Sequence, residues 1–280
     1  MKTYLKYKDI KPIILLALKE DIGDGDITTD AVFTGSDKSC AEIVAKESAV
    51  FCGGDAAKLI YKEIDPSVKV TILKKDGSDI SAGDRLVRIE GHTKSILSGE
   101  RVVLNFIGRM CGIAAKTREL SALLKGTSIK LLDTRKTMPG FRLLDKYSVK
   151  TGGGRNHRMG LYDMVLIKDN HIKAAGSITN AVQKVKSAYG KKFKVEVETT
   201  NLDEVREALS QDVDIIMLDN MDKSTMAEAV KIIKRKVKIE VSGNISEARI
   251  REIKDLKIDF ISTGAITHSV RSVDLSMRFL

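Results

Sequence analysis

The second half of the chain places polar residues just past short β-branched runs. Ile129–Leu132 leads into Asp133-Thr134-Arg135-Lys136, and Met164–Ile167 into Lys168-Asp169-Asn170-His171. Phe193–Val197 carries Glu196 and stops beside Glu198, and Asp214–Leu218 meets Asp219-Asn220. Val237–Val241 meets Ser242-Gly243-Asn244, and Ile258–Ile261 meets Ser262-Thr263-Gly264. These groups suggest three kinds of chemistry. Arg135, Lys136, Arg158 and Lys168, with His157, form a cationic set; arginine offers a two-pronged donor to carboxylates. Ser242-Gly243-Asn244 and Thr263-Gly264 are turns whose backbone N–H groups can close on a phosphate. Glu198 and Asp219 are acids in a cationic rim, the donor type that holds Mg²⁺ beside phosphates. The expected ligand therefore carries phosphates and carboxylates together.

The six short runs are predicted strands. Amphipathic stretches at Ile178–Tyr189, Leu202–Leu209, Lys223–Lys236 and Ile245–Leu256 are predicted helices between the later ones. Repeated βα units imply a parallel sheet, and sites in such folds form at the C-terminal ends of the strands. Six strands fall short of a closed eight-stranded barrel, so an incomplete parallel α/β barrel fits better.

The first half reads differently. A helix is expected to start near Asp9, with Pro12 in its first turn, and to stop at Gly23-Asp24-Gly25-Asp26. Candidate strands Ala41–Lys46, Val68–Lys74 and Arg85–Glu90, with a helix near Ala56–Ile64, describe a small α+β unit. A helical stretch from Thr93 to Leu124, read either as one helix or as two broken near Gly112, links the halves. The division expected is 1–112 for an N-terminal sandwich, with the tail 270–280 packing on it, and 113–269 for the barrel.

Bulk properties narrow the function classes. No apolar run among the 280 residues approaches a membrane span, and Met1–Asp9 lacks the apolar core of a signal peptide, so a cytoplasmic protein is expected. Three scattered cysteines argue against a disulfide framework. The net charge of +10 admits nucleic acid as well as small anions, but tryptophan is absent and no groove-reading element is visible. A barrel kept only for interaction does not require carboxylates and arginines at its strand ends.

The runs Thr134–Arg142, Gly152–Asp163 and Lys168–His171 closely resemble the quinolinate phosphoribosyltransferase family, as do Glu20–Thr29, Gly99–Arg101, Glu196–Glu198, Leu218–Asn220 and Ser262–Gly264. The resemblance covers nearly the whole chain, in order. It implies an N-terminal sandwich, an incomplete barrel and a homodimer or larger homo-oligomer with shared sites, with the tail Val273–Leu280 returning to the first domain. It implies transfer of phosphoribose from phosphoribosyl pyrophosphate to quinolinate, with decarboxylation to nicotinate mononucleotide. Arg135, His157, Arg158 and Lys168 would surround quinolinate, with Thr134 and Lys136 nearby and Arg101 entering from the partner subunit. Glu198 and Asp219 would hold Mg²⁺ and the ribose hydroxyls; Ser242, Gly243, Asn244, Thr263 and Gly264 would take the 5′-phosphate. Lys136 would help the pyrophosphate leave, and a paralogue with another acceptor is the nearest alternative. Two departures stand out: Met138 where the family often has threonine, and Asn244 where glycine is common.

Overall fold

A computed structural model describes residues 5–280. The first four residues of the N-terminal stretch considered as a leader lie outside the described residues. No helix among the described residues is long and apolar enough to cross a membrane. The chain forms two compact units that do not follow one cut in the sequence. One gathers the described part of Met1–Arg118 with Thr137–Gly153 and Ile266–Leu280; the other comprises Glu119–Lys136 and Gly154–Ala265.

The first unit contains a four-stranded antiparallel sheet. Lys38–Ala45 lies between Leu275–Phe279 and Arg85–His92, and Lys69–Ile72 pairs with the far side of Arg85–His92. Helices Tyr7–Ile22 and Gly54–Ile64 share its core, where Ile10, Ile14, Ile60, Tyr61, Leu86 and Ile89 are buried. The first helix starts two residues before the expected Asp9. It stops at Gly23, whose positive φ of 55° favours glycine. The acidic string read as turns also starts a second short helix, Ile27–Val32, because the Asp26 side chain accepts the Thr29 N–H.

Helix Thr93–Leu123 runs unbroken through Gly112. Glycine there answers to packing and not to a kink: a Cβ on Gly112 would overlap the Arg271 carbonyl oxygen. Helix Arg142–Thr151 was not visible in the sequence, because it buries Asp145, Lys146 and Ser148 alongside Leu144 and Val149. That mixture hides the apolar period. Asp145 is paired with Arg109 through two hydrogen bonds of 2.9 and 2.7 Å, which offsets the cost of its burial.

The second unit is a six-stranded parallel sheet, ordered Lys130–Leu132, Phe260–Ser262, Lys238–Ser242, Ile215–Asp219, Val195–Thr199, Val165–Ile167. Each interior strand pairs in parallel with both neighbours. Among the described residues the two edge strands do not pair with each other, so the barrel is incomplete, as expected. A non-strand segment runs along the free edge of Lys130–Leu132 instead. Arg155 N–H donates to the Leu131 carbonyl at 2.8 Å, and Asp133 N–H to the Arg155 carbonyl at 3.1 Å.

Helix propensity alone predicts that Gly112→Ala stabilises the chain by about 1 kcal/mol. Overlap with a main-chain oxygen should outweigh this, giving a net loss of about 1–3 kcal/mol and a Tm lower by a few degrees in thermal melts.

Candidate active site

Side chains alternate across each strand, so residues two apart face the same side. Glu196 and Glu198 therefore share one face of Val195–Thr199, and Met217 and Asp219 one face of Ile215–Asp219. Glu240 and Ser242 do the same on Lys238–Ser242. Contacts identify this face as the inner one. His157 Nε2 lies 2.9 Å from Glu196 and 3.6 Å from Glu240. At the C-terminal rim, Lys168 Nζ donates to Glu198 Oε2 at 2.9 Å.

Between the edge strands, Asp133 is fully buried and holds the segment bearing the arginine. Its carboxylate accepts the Asn156 side-chain amide at 2.6 Å and the His157 main-chain N–H at 2.9 Å. Both ring nitrogens of His157 turn to protein groups: Nε2 to Glu196, and Nδ1 to the Arg158 N–H at 2.8 Å. Arg158 is 8% exposed, and its guanidinium donates to the Met164 carbonyl at 3.1 Å. Burial pushes its pKa down and the neighbouring Arg135 charge pushes it further, while Glu196 and Asp163 pull it back. Two positive charges thus act on one another at a partly dry position, an arrangement that an added anion relieves.

The turn after Lys238–Ser242 is left-handed at two consecutive residues. Gly243 has φ of 92°, and Asn244 follows at 49°. Asn244 Nδ2 donates to Asn220 Oδ1 at 3.2 Å, and Asn220 itself sits at φ of 54°. Asparagine tolerates the left-handed region better than most residues, which explains how Asn244 stands where glycine is common. Thr263 N–H is tied to the Leu132 carbonyl at 3.1 Å, and its hydroxyl accepts the Ala265 N–H at 3.2 Å. That backbone donor is therefore already engaged.

Residues 26–111 match the family pattern "Quinolinate phosphoribosyl transferase, N-terminal domain", and residues 113–278 match its C-terminal domain. The chain belongs to the quinolinate phosphoribosyltransferase family. It is 42% identical to the probable nicotinate-nucleotide pyrophosphorylase [carboxylating] of Bacillus subtilis, over 98% of this chain and 94% of that one. Among solved structures it is similar to NadC from Streptococcus pyogenes, with a TM-score of 0.94, 37% identity and 99% of each chain covered. It is likewise similar to nicotinate-nucleotide pyrophosphorylase from Ehrlichia chaffeensis, with a TM-score of 0.93, 40% identity and full coverage of both chains.

Of the residues expected from the family pattern, Arg135 and Arg158 are brought together, as are Lys168 and Glu198. Asp219 ends its strand with its carboxylate accepting the Asn220 amide at 2.7 Å. Thr134 accepts the Lys136 N–H at 3.0 Å, and Lys136 is exposed. Arg101 is exposed on helix Thr93–Leu123. Sequence reading assigned no role to Asp133, Asn156, Glu196 or Glu240. The signal for the two glutamates was present: a carboxylate at the inward position of an otherwise apolar strand.

Gly243→Ala places a Cβ against Asn220, with its main-chain nitrogen 2.8 Å away, at a φ that L-residues avoid. It should cost about 1–3 kcal/mol in denaturant unfolding. Asn244→Gly should stay within about 1 kcal/mol of the native chain, because glycine accepts the same backbone.

Proposed function

We propose that the chain transfers phosphoribose from phosphoribosyl pyrophosphate to quinolinate and decarboxylates the product, giving nicotinate mononucleotide, CO₂ and pyrophosphate as a step of NAD synthesis. The observation that carries this reading is the cationic set of a family member: Arg135 and Lys168 follow the C-terminal ends of their strands, and the Arg135 charge acts on the buried Arg158. Two like charges at such a place call for a dianion, and a planar pyridine dicarboxylate supplies two carboxylates for two forks.

In this mechanism Arg135, Arg158 and Lys168 pair with the quinolinate carboxylates, and Thr134 closes the same side. His157 braces Arg158 from below. The Ser242-Gly243-Asn244 turn and Thr263-Gly264 take the 5′-phosphate through N–H and hydroxyl donors, and Lys136 draws charge from the departing pyrophosphate. The ribose C1–O bond breaks with oxocarbenium character, and the pyridine nitrogen forms the new bond to C1. The ring is then cationic. The carboxylate beside the nitrogen leaves as CO₂, its electron pair stays on the ring carbon, and a proton replaces it. The protein contributes positioning and fixed charges rather than a covalent step.

Glu198 and Asp219 fit a magnesium ion: two half-buried carboxylates at the ends of adjacent strands, one already facing the cation of Lys168. The ion, held by them with phosphate oxygens and water, would neutralise charge on the pyrophosphate. A homodimer in which Arg101 reaches the partner's site belongs to the same proposal, as does a cytoplasmic setting, which the three free cysteines support.

A single-turnover assay tests the reading. Quinolinate with phosphoribosyl pyrophosphate should release CO₂ and nicotinate mononucleotide, while nicotinate should give no turnover. Arg158→Ala should lower kcat/KM for quinolinate by about 3–5 kcal/mol, because a buried carboxylate loses its partner. Arg158→Lys should recover only part of it. Near-native activity of Arg158→Ala would remove that residue from the pocket.

A further inference from the structure

Two carboxylates inside the barrel take no part in the reaction above. Glu196 and Glu240 are fully buried, on strands that flank Ile215–Asp219. Neither oxygen of Glu240, nor Oε1 of Glu196, meets a hydrogen-bond donor in normal geometry, although the Ser262 hydroxyl lies beside Glu240. His157 reaches both from the segment along the sheet edge, and the three side chains bring their nitrogen and oxygen atoms within 4.8 Å of one another.

Hydrogen-bond direction settles the state of the imidazole. An amide N–H can only donate, so Nδ1, 2.8 Å from the Arg158 nitrogen, presents its lone pair. The ring proton therefore sits on Nε2 and is donated to Glu196 Oε2 at 2.9 Å. This tautomer leaves Nε2 without a lone pair for a cation, so the three groups form a hydrogen-bonded set and not a metal centre. A neutral histidine cannot balance two buried carboxylates. Burial raises the pKa of Glu240, the adjacent Glu196 raises it further, and His157 and Ser262 pull it back; with the imidazole proton committed to Glu196, a proton on Glu240 balances the set. Glu196 also lies near enough to the Arg158 guanidinium to favour its charge.

We propose that Glu196 and Glu240 are positioning residues for Arg158: together they hold His157 as the Nε2–H tautomer, and His157 Nδ1 fixes the main chain from which Arg158 reaches its ligand. Asp133 holds the preceding N–H, so two consecutive backbone donors are anchored to buried side chains. Glu240 works as the neutral member of the pair. The functional part of this inference rests on the reading of Arg158 as a quinolinate ligand; the tautomer does not.

The test has two arms. Imidazole ¹⁵N spectra of the full chain at neutral pH, with His157→Gln to assign the signal, should show a neutral Nε2–H ring that quinolinate leaves unchanged. An imidazolium or an Nδ1–H ring would overturn the proposal. In steady-state kinetics Glu240→Gln, which mimics the protonated acid, should stay within about twofold of native, and Glu196→Gln, which keeps an acceptor, within about fivefold. Glu196→Leu should raise the quinolinate KM by at least about tenfold with little change in the KM for phosphoribosyl pyrophosphate. Equal rises in both constants, or a loss in Glu240→Gln as large as in Glu196→Leu, would overturn it. Should quinolinate prove not to be a substrate, the functional reading fails while the spectra still decide the tautomer.

Discussion

The period-two alternation of a parallel strand is the constraint on which the rest of the second unit depends. It makes residues two apart partners in depth: Glu196 lies inside and Glu198 at the rim, Glu240 inside and Ser242 at the rim. The parallel register then staggers these depths from strand to strand: Glu198 is level with Met217 and Glu240, and Asp219 with Ser242. The rim carries Lys168, Glu198, Asp219 and the Ser242 turn. The floor carries the carboxylates that meet His157. A one-residue slip in any strand would exchange this inner set for the outward-facing Val197, Leu218 or Val241.

That regularity is also what made the rim legible. Strand ends are marked by a change from β-branched to polar residues, and six such changes in order are hard to misread. The incomplete barrel follows from the same count. The floor was less legible, since a buried glutamate in Val-Glu-Val-Glu looks like half of an alternating pattern and gives no hint of its partner. His157 illustrates the limit: its place in an Asn-His-Arg run gives no sign that Nε2 meets a buried glutamate and Nδ1 the next main-chain N–H. Asp133 was hidden in the same way, since nothing in the sequence distinguishes a carboxylate facing solvent from one that accepts a side-chain amide and a main-chain N–H.

In the first unit, misreadings have a common cause. Glycine and acidic residues are punctuation in a linear reading, but in the folded chain they answer to neighbours far away in sequence. Gly112 makes room for the Arg271 carbonyl in the middle of a long helix, and Asp26 starts a helix where a turn was expected. Helix Arg142–Thr151 escaped notice because its buried face includes Asp145, which is acceptable there only because Arg109 meets it with both prongs. Such polar burial is a tertiary property, and no window of sequence contains both partners.

The segment that carries His157 and Arg158 also covers the free edge of Lys130–Leu132 through the paired bonds at Arg155. An uncovered edge strand is a template for pairing with another chain. This segment thus covers an edge that would otherwise be open to another chain. Anything that detaches it from the edge would disturb the arginine and, in the same event, expose main-chain donors and acceptors to a neighbouring molecule. Edge protection and the placement of Arg158 therefore depend on the same few hydrogen bonds.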